Sequence, residues 1–188
     1  MIGTPVSSEG EWPNSVAFSP NSQNLCVLNS GAVNGVSCYT VDAKLGLTPM
    51  ADTVRAIGLQ ATTPPSGPTG TPGHVIFSAD GTKLMVSVKG APPTTAGYIA
   101  TWDVLANGSL SNSFAKSVVP TPGGVPFSLT LIPNSNAVLA TDAAAGFDVF
   151  NFAGGLTDIA TTSVVPVQGQ GATCWSSFSP AKIGRAHV

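Results

Sequence analysis

Apolar and polar positions recur in short runs separated by turn residues, and three stretches repeat one plan. The first runs Ser15-Val-Ala-Phe-Ser-Pro-Asn-Ser-Gln-Asn24, then Leu25-Cys-Val-Leu-Asn29, then Gly35-Val-Ser-Cys-Tyr-Thr-Val-Asp42. The second runs His74-Val-Ile-Phe-Ser-Ala-Asp-Gly81, then Lys83-Leu-Met-Val-Ser-Val-Lys89, then Gly97-Tyr-Ile-Ala-Thr-Trp-Asp-Val104. The third runs Ser128-Leu-Thr-Leu-Ile-Pro-Asn-Ser-Asn136, then Ala137-Val-Leu-Ala-Thr-Asp142, then Gly146-Phe-Asp-Val-Phe-Asn-Phe152. A fourth begins at Ala172-Thr-Cys-Trp-Ser-Ser-Phe-Ser-Pro180. Runs this short, bounded by Asn, Asp, Ser and Gly, predict strands joined by hairpins, because those residues accept the positive φ of tight turns.

Superimposing Phe18, Phe77, Ile132 and Phe178 gives steps of 59, 55 and 46 residues. Periods of about 40 to 50 residues mark repeat architectures, and four strands per period mark β-propeller blades. An outer strand is predicted in Leu47–Met50, in Leu110–Val118 and in Leu156–Val165 of the successive repeats. The reading is an all-β partial propeller over residues 1–181, with blades near 13–60, 72–120 and 126–166 and the start of another at 171–181. An open β-sandwich would use similar strands but seldom repeats one hairpin signature.

Composition supports this reading. Gly and Pro number 21 and 16 of 188 residues while charged residues make only 9%, so long charged helices are not expected; 43% hydrophobic residues suffice for a core. The net charge of −2 with no basic run gives no footprint for nucleic acid, and no apolar run is long enough for a membrane-spanning helix. Three cysteines, far apart, make a zinc site unexpected.

About three and a third blades do not close a ring, so the chain reads as part of a larger propeller. Residues Lys182–Val188 back-translate into the opening of a short-read sequencing adapter and are expected to be an artefact. Setting them aside leaves His74 as the sole histidine, Arg55 as the sole arginine, and five cations against nine acids, a formal charge of −4.

The repeated Phe-Ser-Pro/Ala-Asp/Asn turn, with Gly35-Val-Ser-Cys-Tyr39, Thr63-Pro-Pro-Ser-Gly-Pro68 and Gly169-Gln-Gly-Ala-Thr-Cys-Trp-Ser-Ser-Phe-Ser-Pro180, resembles the seven-bladed lactonase-like propellers. More narrowly it is similar to fungal proteins of the 3-carboxymuconate cyclase type. The resemblance implies a reaction without cofactor or metal that makes or opens a γ-lactone, acting on a small carboxylate or lactone. Such a site clamps carboxylates with cations and moves one proton. Related lactonases often carry His-x-His before an inner strand; the matching stretch here, Thr71-Pro-Gly-His74, has one histidine offset from that pattern.

In the repeats, the start of the first strand and the end of the second are expected to meet on one rim. That places His74 and Lys89 together as candidate proton donors, with Asp142 and Asn29 at the corresponding second-strand ends; the alternative reading, preferred on the residues alone, is that such rim side chains bond loop backbone or water and that His74 caps the strand entry. Arg55 reads first as a solvated charge on an outer strand or connector and second as a candidate substrate ligand. Cys26 and Cys38 lie opposite one another across a hairpin, compatible with a disulfide or with two buried thiols. Asn107-Gly-Ser109 meets the N-glycosylation pattern and is also a favoured turn. A second reading is a secreted or cell-wall propeller that binds without catalysis. An extracellular or cell-wall setting is favoured over a cytoplasmic one. With two open edges, the chain by itself is expected to be inactive.

Overall fold

The computed structural model describes residues 2–152, 160–179 and 182–187. Among these there is no helix; fifteen strands form four antiparallel sheets. The first sheet orders β1 (Pro13–Phe18), β2 (Asn24–Asn29), β3 (Gly35–Asp42) and β4 (Gly46–Pro49), and β5 (Arg55–Ala56) also pairs with β3. The second orders β6 (Pro72–Phe77), β7 (Lys83–Val88), β8 (Tyr98–Asp103) and β9 (Ala115–Val118). The third orders β10 (Pro126–Leu131), β11 (Ala137–Asp142), β12 (Gly146–Asn151) and β13 (Ala160–Pro166), and the fourth pairs β14 (Trp175–Ser179) with β15 (Lys182–His187). The chain is all-β and its repeats are propeller blades.

Two expected outer strands differ in extent. β9 covers only the last four residues of Leu110–Val118, because Leu110 and Ser111 turn aside to bond Asp52 and Asp103 through their amides. The start of the strand expected over Leu156–Val165 lies outside the described residues, and β13 begins at Ala160.

The repeated turn works through the same bonds twice. Ser19 Oγ donates to Asn21 Oδ1 and accepts from Asn24 N, and the amide of Ser22 donates to Ser19 O. Ser78, Asp80, Lys83 and Gly81 reproduce this set one repeat later. Positive φ falls on Ser22 (57°) and Gly81 (73°), the positions that close each turn.

By Cα proximity the chain divides into two compact units. One comprises Met1–Thr71, Val75–Met85 and Trp102–Phe114; the other comprises Pro72–His74, Val86–Thr101 and Ala115–Val188. The first has its core in Leu28, Val36, Tyr39, Val75, Leu84, Met85 and Trp102, and the second in Val86, Val88, Ile99, Leu129, Ala140 and Phe150. In the first sheet the second strand is the most buried, and in the second sheet the two inner strands β7 and β8 are both buried along nearly their whole length.

Candidate functional site

Three sheets begin their first strand at a proline, Pro13, Pro72 and Pro126, a place where proline costs no ladder bond. Asn29 pairs with Pro13 and Asp142 with Pro126, so strand start and second-strand end do meet. In the second sheet Lys89 follows β7 directly, and its Nζ donates to Pro72 O at 3.2 Å.

Lys89 is only 6% exposed. Its ammonium lies 4.5 Å from the centroid of the Phe127 ring, a cation–π contact that partly replaces lost water. Burial nevertheless lowers its pKa to about 8, opposed by the Cys174 sulfur. Phe127 packs edge-on against Trp175 with centroids 5.2 Å apart, and His74 meets the same indole at 5.6 Å. One cluster thus joins His74, Lys89, Phe127, Cys174 and Trp175, and the indole remains 53% exposed.

His74 is held in one protonation state. Burial lowers its pKa, and the Leu129 amide donates to Nδ1 at 3.0 Å. A nitrogen that accepts carries no proton, so the imidazole is neutral with its hydrogen on Nε2. It can donate a hydrogen bond but is a poor source of a proton at neutral pH. Of the two expected donors, Lys89 is the one whose chemistry suits that role.

Asp142 sits at the expected strand end but has another occupation. Its carboxylate accepts from the amides of Gly124 (2.6 Å), Val125 (3.1 Å) and Ala144 (2.7 Å), pinning the loop that enters β10. Gly124 O in turn accepts from Gly90 N and Gly97 N, both at 2.9 Å. The clamp therefore reaches the loop that follows Lys89. Beside it Asp148 is fully buried, and neither of its oxygens has a hydrogen-bond partner among the described residues. Burial, then the neighbouring Asp142 charge, raises the Asp148 pKa to about 9, so it holds its proton at neutral pH.

Asn29 and Arg55 belong to the first unit and serve backbone there. Asn29 Nδ2 donates to Ser8 O at 2.7 Å, anchoring the N-terminal segment. Arg55 spreads its guanidinium over Ser111 O (2.8 Å), Leu110 O (2.6 Å) and Val54 O (2.9 Å). Lys83 pairs with Asp103, and Lys116 lies over Tyr98. Cys26 and Cys38, directly paired across β2 and β3, are joined by a disulfide. Among the described residues no group of three or more His, Cys, Asp or Glu could hold a metal, and no helix is long and apolar enough to cross a membrane.

Sequence reasoning missed Asp148, Phe127 and Cys174. Asp148 did leave a signal: it interrupts the apolar alternation of Gly146-Phe-Asp-Val-Phe150, on the strand face that carries Asp142's partner Gly146.

No protein-family model matches the chain and no curated protein matches it in sequence. Its fold is found in solved structures. The periplasmic gluconolactonase of Pseudomonas aeruginosa superposes with a TM-score of 0.70 at 21% identity, over 90% of this chain and 48% of that one. Proteins described as 6-phosphogluconolactonases from Bacteroides uniformis and Bacteroides fragilis give TM-scores of 0.60 and 0.62 at 21% and 17% identity. They match over 86% and 82% of this chain and 43% and 38% of theirs, so the chain spans less than half of the length of each. The chain has the fold of the lactonase-like β-propellers.

Proposed function

We propose that this chain carries part of a lactone-forming or lactone-opening site of the 3-carboxymuconate cyclase type, with Lys89 as its proton donor and acceptor. The observation behind this reading is the buried Lys89 ammonium, held by Pro72 O and the Phe127 ring with a pKa of about 8. An amine poised near neutral pH can give a proton in one direction and take it in the other. In lactone formation a substrate carboxylate oxygen bonds to one carbon of a double bond. The π electrons of that bond take a proton from Lys89 at the adjacent carbon, leaving a neutral amine. Opening reverses both changes. The Nε2–H of His74 supplies a hydrogen bond to a carboxylate or lactone oxygen, and the exposed Trp175 ring offers a face for a planar substrate.

A single ammonium does not both clamp a tricarboxylate and deliver its proton. The 188-residue chain alone is therefore expected to bind without turnover. The test is calorimetric titration with 3-carboxymuconate, its lactone and gluconolactone, alongside an absorbance assay for loss of the diene. Binding that weakens as pH rises through about 8 and disappears in Lys89→Met supports the reading. Absence of binding for all three ligands at pH 6 to 9 removes it, and rapid turnover by the chain alone removes the claim that the site is partial.

A second reading, a secreted or cell-wall propeller that binds without catalysis, draws on the Cys26–Cys38 disulfide, since such bonds persist in oxidising compartments. It predicts binding that is indifferent to Lys89.

A further inference from the structure

The first unit contains a cleft of about 430 Å3 that the lactone reading does not use. This falls in the range of small-ligand sites, about 300–1,000 Å3. It lies among the hairpin turns: Asn21, Gln23 and Asn24 on one side, Met50 and Phe77 at its apolar wall, and Asn107 at its edge. Amides beside an apolar wall, with Asp80 as the one charged group of the lining, suit a neutral polyhydroxylated ring with C–H faces better than an anion. The Asn24 carboxamide makes no hydrogen bond within the described residues.

Asn107 is also the acceptor of Asn107-Gly-Ser109, the N-glycosylation pattern. It is exposed at the tip of a closed turn, in which Leu105 N donates to Ser109 O and Gly108 N to Leu105 O, both at 2.8 Å. The Ser109 hydroxyl and amide donate to Asn107 Oδ1 at 2.7 and 3.1 Å. That fixes the carboxamide by its oxygen and leaves Nδ2 without a partner among the described residues. Gly108 has φ of +84°, and a Cβ there would fall 2.6 Å from Met50 Cε, so the turn is fitted closely to the cleft wall. The disulfide between Cys26 and Cys38 fits the oxidising route on which N-glycans are added.

We propose that Asn107 is an N-glycosylation site and that the first sugar of its glycan seats in this cleft, against Met50 and Phe77 and within reach of Asn24. The whole chain, given a secretion leader in a yeast host, tests both parts. Intact mass should show one N-glycan on the wild type and on Ser109→Thr, and none on Asn107→Gln or Ser109→Ala. Because the glycan is added on entry to the secretory route, material retained in the cell reports as well as secreted material, and impaired folding of a variant does not blur the reading. A wild type that enters the route without a glycan overturns the proposal. For the seat, hydrogen exchange of Ser19–Asn24 and Asp80–Gly81 is compared before and after enzymatic removal of the sugar. Slower exchange in the glycosylated chain is expected. Identical exchange would mean the sugar projects into solvent and would overturn the seat.

Discussion

Asp142 and Lys89 close the second strands of successive sheets, both are nearly or fully buried, and they do opposite things. The Asp142 carboxylate is taken up by three amides, so its lost hydration is replaced by hydrogen bonds and it serves the loop that enters β10. The Lys89 ammonium has one carbonyl and one ring, so part of its lost hydration is not replaced. Burial alone therefore does not make a reactive group. What separates a clamp from a candidate proton donor is how far the fold supplies partners after water has been removed. Asn29, at the same place in the first sheet, is a neutral version of the clamp.

The largest effect should come from breaking the clamp. Asp142→Ala strands the amides of Gly124, Val125 and Ala144 and should cost on the order of 3 kcal/mol or more, since bonds to a charged acceptor contribute about 1.5–3 kcal/mol each. Urea unfolding measures it; a loss under about 1 kcal/mol would show that the loop is held by other means. Asp148 sharpens the same point through pH. Its pKa rises from 3.8 to about 9, so between those values the folded chain holds a proton that the unfolded chain has released. Stability from this group is complete below about pH 4 and drains away as pH climbs toward 9. Asp148→Asn, a neutral group of the same shape as the protonated carboxyl, should flatten that slope and raise the melting temperature at pH 8 more than at pH 4.5. Equal shifts at both pH values would sink this account.

The contrast also explains what could be read from sequence. The turns are legible because Ser19/Asn21 and Ser78/Asp80 make their bonds within a few residues, so local composition is enough. Pairing of strand starts with second-strand ends follows from antiparallel topology, which is why His74 and Lys89 could be placed together. Partner sets are not local. Nothing near Asp142 in sequence announces that the amides of Gly124 and Val125, 18 and 17 residues away, would saturate it. Likewise Arg55 finds carbonyls 55 and 56 residues distant at Leu110 and Ser111. Exposure also escapes repeat logic: Val75 and Phe77 are 0% and 6% exposed, whereas Val16 and Phe18 at the same places in the first repeat are 56% and 55% exposed.

A smaller loss is expected at the neutral clamp. Asn29→Ala removes the bond to Ser8 O and should cost about 1–2 kcal/mol, with protease cleavage appearing first near residues 7–12. Asn29→Asp should be worse, because a carboxylate there faces the Ser8 carbonyl it cannot donate to. If Asn29→Asp matched wild type in urea, the side chain's donor would not be what holds the segment.

The smallest stability effect, and the most informative one, belongs to Lys89→Met. Methionine keeps the length and the contact with Phe127 while removing the charge that burial penalises. The folded chain releases the Lys89 proton at about pH 8, before the unfolded chain does at 10.5, so the charge works against folding below pH 8 and this penalty fades between 8 and 10.5. Lys89→Met should thus be neutral or stabilising by up to about 1 kcal/mol at pH 7 and have less effect near pH 10. Yet the same change should abolish lactone or carboxylate binding, whereas Asp142→Asn, which leaves Lys89 in place, should weaken binding only as far as it loosens the loop. A clamp adds stability by fixing position, whereas a proton donor gives up stability for chemistry. If instead Lys89→Met unfolds the protein while Asp142→Ala leaves it intact, the two roles are reversed, and the search for the reacting group should move to the buried carboxyl pair.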